Sequence, residues 1–251
     1  MIKRIRASWW VVVAAVLLCS PLAFSQTVDL YLNDGGNNTM DGVYVGPYDA
    51  TQSNSNNQNP QGVQIICDDF SHDVVPGESW QATVASVSSL NTGNLSGLMW
   101  GNGTLLSGGT GAANVLQGYF AMAYLASQML PLSGNPANNQ TVGYMAYAIW
   151  AIFQGAQVEA WLGGPTSQAW LTVQKMALNA LGMTFSAGQF AGWELLTPIA
   201  GSQNPFSQGT PQEYFEFVPE GGTALMYLLL AGFACFGTMY FKSRRRASEI
   251  V

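Results

Sequence analysis

The sequence contains little charge, and it has almost no basic residues away from its two ends. Its 251 residues include 8 Lys and Arg against 14 Asp and Glu. Between Ala7 and Phe241 the only Lys or Arg is Lys175, whereas thirteen acids, Asp29 through Glu220, lie in that part. Because cations are needed to contact phosphate groups, this balance argues against binding to nucleic acid or to anionic membranes.

Cysteine and histidine are equally scarce. Of the 3 cysteines, Cys19 and Cys235 lie in apolar segments near the ends, so Cys67 has no partner for an intramolecular disulfide in the middle of the chain. With His72, the only histidine, it cannot supply the roughly four ligands of a zinc site. A Cys–His nucleophile would also need an orienting third group. We therefore predict a free, largely buried thiol at Cys67, a surface histidine in a hairpin turn at His72, and no cofactor or metal.

Two other kinds of site are alternatives that the acids leave open. A calcium site would use oxygen ligands, and four acids fall within eleven residues: Asp68, Asp69, Asp73 and Glu78. Their spacing is not that of an EF-hand, and the run Asn37, Thr39, Asp41, Gly42 lacks the final Glu. A glycan hydrolase would need two facing carboxylates, for which Glu159 and Glu194, each near a tryptophan, are the candidates.

The N-terminus has the pattern of a secretory signal peptide. Three basic residues, Lys3, Arg4 and Arg6, precede an apolar stretch from Trp9 to Leu18, and small residues follow up to Ser25. This predicts residues 1–25 as a signal peptide, with cleavage between Ser25 and Gln26. The protein is then expected to cross the inner membrane.

The C-terminus, residues 218–246, has three parts in order. A short motif of Val218, Pro219, Glu220, Gly221 and Gly222 is followed by an uncharged stretch, Thr223–Phe241, which as a helix would span a bilayer core. A basic cluster then follows, which the positive-inside rule keeps in the cytoplasm: Lys242, Arg244, Arg245, Arg246. A permanent membrane anchor would have the same pattern.

This ending resembles the PEP-CTERM sorting signal of Gram-negative bacteria, with Gly221 in the place of the usual second proline. The resemblance implies that an exosortase-type membrane protease recognises the tail and removes it. The protein would be anchored in the membrane transiently and would then belong to the cell surface or the exopolysaccharide layer.

The part between the two signals, residues 26–217, predicts one α+β domain. Alternation of apolar and polar residues indicates short strands, a helical spacing indicates three helices, and strands return at the end. Residues 63–70 are expected to form a hairpin with the strand that contains Trp80, and Thr51–Gly62 an exposed loop. The helices are expected at Ala112–Leu130, around Val142–Phe153 and at Thr166–Leu181, and the last strands at Trp193–Thr197 and Glu213–Val218.

The middle of this domain also resembles bacterial surface thioester domains. Cys67-Asp68-Asp69 follows an apolar strand, and Ala148-Ile149-Trp150 lies on a predicted helix. In that family the cysteine is bonded to a glutamine just before the Ala-Ile-Trp motif, and here that position is Ala146. The resemblance implies a shared architecture without the reactive bond.

These observations together predict an exported, non-enzymatic protein with a structural or adhesive role at the cell surface or in a biofilm matrix. Its expected partners are the exosortase-type protease and an exopolysaccharide. A secreted glycan-active hydrolase and a thioester-type adhesin are the alternatives.

Overall fold

The computed structural model describes residues 26–36, 38–54, 59–72, 75–203 and 211–218. The predicted signal peptide, the sorting motif from Pro219 onward, the apolar stretch Thr223–Phe241 and the basic cluster after it lie outside the described residues. Within the described ranges, no helix has the length and hydropathy that crossing a membrane requires.

The domain consists of a β-barrel and three helices, so the predicted α+β class is confirmed. The strands are β1 (Gln26–Asp34), β2 (Thr39–Met40), β3 (Val43–Tyr44), β4 (Tyr48–Asn54), β5 (Gln61–Cys67), β6 (Ser79–Ser86), β7 (Trp193–Pro198) and β8 (Tyr214–Phe217). The helices are α1 (Ala112–Met129), α2 (Asn139–Trp161) and α3 (Gln168–Leu181).

Six strands close the barrel in the order β1-β4-β5-β8-β7-β6, and every neighbouring pair is antiparallel. The alternation along β1 explains its orientation, because Val28, Leu30 and Leu32 are buried while Tyr31 and Asn33 are exposed. The last two strands complete the sheet that β1 begins, as the sequence predicts. β2 and β3 form a separate small hairpin.

Two expectations about the first half of the chain are wrong. β5 does not form a hairpin with β6; it pairs with β4 and, at its end, with β8. The predicted loop Thr51–Gly62 is partly strand, since residues 51–54 complete β4 and residues 61–62 begin β5. Polar residues are tolerated there because one face of an antiparallel strand is free to contact water.

The three helices lie where they are predicted, although α2 continues to Trp161, eight residues past Phe153. α3 begins at Gln168, two residues after its predicted start, and ends at Leu181, as predicted. Helices α1 and α2 pack at close range because Gly118 has no side chain: a Cβ there would lie 2.5 Å from the Phe153 ring. Ile149 is fully buried in the core, as expected.

Candidate functional site

Residues Cys67–His72, here called the acidic segment, begin at the last residue of β5 and lie at one end of the barrel. Cys67 is a free thiol with 1% exposure, which agrees with the burial expected for it. Its thiol donates to the Asp69 carbonyl (3.0 Å), and its sulfur accepts from the Asp69 amide (3.2 Å). Burial and then the nearby Asp69 and Asp68 raise the pKa of this thiol, so it stays protonated and unreactive.

Helix α2 holds the acidic segment from behind. The Trp150 indole donates to the Cys67 carbonyl at 3.0 Å. The buried Gln154 side chain forms hydrogen bonds with three later residues of the segment. The Gln154 carbonyl accepts from the Phe70 amide (2.5 Å), and its amide donates to the Asp69 carboxylate (3.0 Å) and to the Ser71 hydroxyl. The Gln154 side chain is therefore fully used in fixing the segment.

The helix departs from regular geometry at this glutamine, where φ is −122° and ψ is 35°. Close to this point the Leu106 amide donates to the Ile152 carbonyl at 2.8 Å, so an outside donor takes a carbonyl of the helix. Insertion of such a group is a common cause of helix kinks. Ala146, the position of the glutamine in thioester domains, is buried two turns earlier.

Asp69 and His72 form a pair within the acidic segment. An imidazole nitrogen of His72 contacts the Asp69 carboxylate, which also accepts from the Ser71 amide at 2.9 Å. Gln212, just before β8, donates to the carbonyls of Asp69 (3.0 Å) and His72. His72 is half-buried and lies in this anchored segment, so the hairpin-turn position predicted for it is wrong.

Asp68 points away from Asp69, toward the helices, and lies beside Glu213. Glu213 is fully buried and accepts from Tyr119 (2.8 Å), from the Met99 amide (3.1 Å) and from Thr197. Asp68 is equally buried, and among the described residues neither of its oxygens has a hydrogen bond of ordinary geometry. Burial, and after it the charge of Glu213, raises the pKa of Asp68 well above its usual range.

These contacts indicate which of the two carboxyl groups, Asp68 or Glu213, carries a proton. Glu213 is surrounded by donors, which favour its ionised form, although burial still raises its pKa. Asp68 faces that carboxylate and gains most by carrying a proton. Asp68 is thus the neutral member, and it can donate to Glu213, its neighbour where β5 and β8 pair.

An open cleft of about 420 Å³ lies on the Asp69–His72 side of the acidic segment. Its walls come mainly from the β2–β3 hairpin, the acidic segment and helix α2, and five of the thirteen lining residues are aromatic: Tyr44, Tyr48, Phe70, Trp150 and Trp161. The cleft is also lined by the polar side chains of Asp69, Ser71, His72 and Gln212.

Three of the aromatic rings of the cleft pack together around Phe70. The Phe70 ring centre lies 5.3 Å from that of Trp150 and 5.8 Å from that of Trp161, the latter edge to face. The Trp161 indole donates to the Tyr147 hydroxyl at 3.2 Å, which fixes the ring at the rim. Trp161 is nevertheless 51% exposed and Tyr44 is 47% exposed. Two large rings are therefore presented to solvent in defined positions.

The acids considered for hydrolysis lie elsewhere. Neither Glu159 nor Glu194 is among the residues that line the cleft. Glu194 does face a second carboxylate, Glu216, which is directly opposite on the neighbouring strand. Glu216 is only 4% exposed, and burial and then Glu194 raise its pKa to about 7. This pair belongs to the sheet, where no open cleft separates its members.

The acids considered for calcium do not assemble in the part of the chain that the structure describes. No group of three or more His, Cys, Asp or Glu side chains there is arranged to hold a metal ion. Asp73 and Asn37, two of the residues in the sequence alternatives, lie outside the described residues. Glu78 instead accepts from the Val75 amide at 3.2 Å.

Sequence reasoning missed most of the residues that build this site. Gln154 is 84 residues from Phe70, and Gln212 is 143 residues from Asp69. No local sequence pattern connects residues so far apart. Tyr44 and Trp161 read as ordinary apolar residues in the sequence. The one available signal was the run Cys67-Asp68-Asp69, which does lie at the centre of the site.

No protein-family model matches the chain, and neither a curated protein nor a solved structure matches it.

Proposed function

We propose that this chain is an exported, non-enzymatic protein of the cell surface or extracellular matrix, with a structural or adhesive role, and that its domain binds polysaccharide in the aromatic cleft. The observation that supports this most strongly is the pair of half-exposed rings, Trp161 and Tyr44, at a cleft of about 420 Å³. Exposed apolar surface of this kind is typical of ligand-binding grooves.

The chemistry of the cleft suits a sugar. The C–H face of a pyranose ring is apolar and packs on an aromatic ring, while its hydroxyl groups need polar partners at the edge. Trp161 and Tyr44 offer such faces, and His72 and Ser71 lie nearby. Asp69 is the only acid among the described residues that line the cleft, whereas glycoside hydrolysis normally requires two. Binding without cleavage is therefore the function that we favour.

Binding can be tested with the full-length chain, purified in a polyoxyethylene detergent that carries no sugar. The probes are oligosaccharides of the extracellular matrix and of chitin, and the measurement is calorimetric titration. Trp161→Ala should weaken binding by about tenfold or more, because a stacked ring contributes on the order of 1–2 kcal/mol.

The matched control is Leu171→Ala, which removes an apolar side chain of comparable exposure from helix α3, away from the cleft. It should leave the affinity unchanged. Equal affinities for the wild type and the Trp161 variant would contradict the proposed use of the cleft. Release of reducing sugar ends from a bound oligosaccharide would contradict the non-enzymatic proposal.

The route to the surface is proposed from the two ends of the sequence. We expect the mature protein to begin at or near Gln26 and, in cells that contain an exosortase-type protease, to lack Thr223–Phe241. Intact-mass measurement of surface material tests both ends. Material that retains Arg244–Arg246 would indicate a permanent anchor in place of processing.

A further inference from the structure

The most exposed ring of the cleft stands between two acids. Trp161 lines the cleft that contains Asp69, and it also lines a neighbouring depression that contains Asp41. Asp41 lies in the turn between β2 and β3, and it is close enough to Tyr147 to contribute to the raised pKa of that phenol, which burial chiefly causes. The indole therefore has an acid on each side: the exposed Asp41, and the buried Asp69, which is paired with His72.

Within the described part of the cleft, only His72, which contacts Asp69, can supply a balancing positive charge. None of its lining residues is Lys or Arg, and Lys175, the only such residue among all the described ones, is exposed on helix α3. The exported part of the sequence has thirteen acids against that single lysine. A polyanion would therefore be repelled, and a cation would be attracted.

Most of the polar atoms at the cleft are already engaged. The Asp69 carboxylate is bonded to Ser71, Gln154 and His72. Gln212 donates to the carbonyls of the acidic segment, and its own carbonyl accepts from the Tyr214 hydroxyl at 2.9 Å. The Asp69 and Gln212 side chains are thus largely occupied, so ring faces and the charge of the cleft must contribute much of the recognition.

An ammonium group uses both of these features. It is attracted to the face of an aromatic ring, most strongly to that of tryptophan, and it is also attracted to carboxylates nearby. We propose that the cleft recognises a polysaccharide with free amino groups, the ammonium of an amino sugar lying against the Trp161 ring between Asp41 and Asp69. This inference rests on the proposed function and specifies the class of polysaccharide.

The test compares two oligosaccharides of equal length that differ only in the charge: a glucosamine oligomer and an N-acetylglucosamine oligomer. Calorimetric titration with the full-length chain is done at a mildly acidic pH, where the free amines are protonated. The glucosamine oligomer should bind about tenfold more tightly, which corresponds to a cation–π and carboxylate contribution of roughly 1.4 kcal/mol. Added salt should reduce that preference.

The outcomes separate this inference from the proposed function. Equal binding of the two oligomers, or tighter binding of the acetylated one, overturns the inference while polysaccharide binding stands. If neither oligomer binds, and no matrix oligosaccharide binds either, both the inference and the proposed function are overturned.

The substitution Asp41→Asn tests the contribution of the Asp41 charge, because it removes the charge and keeps the shape of the side chain. Asp41 has a positive φ of 52°, a conformation that Asn also adopts readily, so the turn is retained. The variant should lose most of the preference for the amine and keep its affinity for the acetylated oligomer. Asp49→Asn is the matched control, because Asp49 is an exposed acid on β4 that does not line the cleft. An unchanged preference in the Asp41 variant would contradict the proposed position of the ammonium group.

Discussion

Asp68 and Asp69 are consecutive residues with the same burial, yet their surroundings are opposite. Asp69 faces the cleft and is bonded to Ser71, Gln154 and His72. Asp68 faces the helices and a second carboxylate, Glu213, and among the described residues it has no donor in ordinary geometry. The comparison shows that two equally buried carboxyl groups can differ completely in their hydrogen-bond partners, and that the partners, not the burial, distinguish their roles.

The largest expected effect comes from removing the support behind both acids. Ile149→Ala and Trp150→Ala should each lower the free energy of unfolding by roughly 2–5 kcal/mol, because both side chains are buried and truncation leaves a cavity. Trp150→Ala also removes the hydrogen bond to the Cys67 carbonyl. Chemical denaturation measures the change. An unchanged midpoint for both variants would mean that helix α2 does not support the barrel.

The next largest effect distinguishes the roles of Asp68 and Glu213. Glu213→Gln places an amide group among three donors, so we expect a loss of roughly 1–3 kcal/mol. Asp68→Asn keeps a donor toward Glu213 and should cost much less. Denaturation of both variants at neutral pH gives the comparison, and a greater loss for the Asp68 variant would contradict the assignment of the proton.

The pair also predicts a dependence on pH. The folded-state pKa of Asp68 is raised, so its contribution to stability is complete at low pH and is lost as the pH rises through that value. The wild type should therefore become less stable toward alkaline pH, and Asp68→Asn should flatten this part of the curve. Curves of the same slope for the two proteins would show that Asp68 does not hold a proton.

The acid pair in the sheet provides a smaller effect nearer to neutrality. The pKa of Glu216 is raised to about 7, so its protonated form stabilises the fold below that pH and the contribution is lost as the pH rises through about 7. Glu216→Gln should flatten the stability curve between about pH 4 and pH 7, because in that range the folded state holds a proton that the unfolded state has lost. Asp49→Asn, which changes an exposed acid, should retain the slope of the wild type.

The smallest expected effect concerns Cys67, at the start of the acidic segment. Under native conditions its buried thiol should react slowly with an alkylating reagent, and after unfolding it should take up one equivalent. The mass of the domain should be the full sequence mass throughout. A deficit of one ammonia, converted by methylamine to an adduct, would instead indicate a thioester and make the protein a covalent adhesin.

Features of the fold that depend on neighbouring residues could be predicted from the sequence, and features that depend on distant residues could not. The alternation in β1 and the helical spacing in residues 112–181 were sufficient to predict strands and helices, because each pattern reflects which face of one element is buried. The pairing of β5 with β8 was missed, since β5 and β6 are neighbours in the sequence and a hairpin is the simpler connection. The predicted loop at Thr51–Gly62 was partly wrong because polar strands carry no apolar pattern.

The sequence by itself determined the α+β class, the acidic character of the domain and the burial of Cys67, which depend on composition and local periodicity. Only the tertiary structure decided that the barrel closes, that Asp68 meets Glu213 and that Trp161 stands beside Phe70 at an open cleft. These contacts join residues far apart in the chain. They form because the antiparallel pairing of β5 with β8 and the packing of α2 on the barrel place those residues at the same end of the domain.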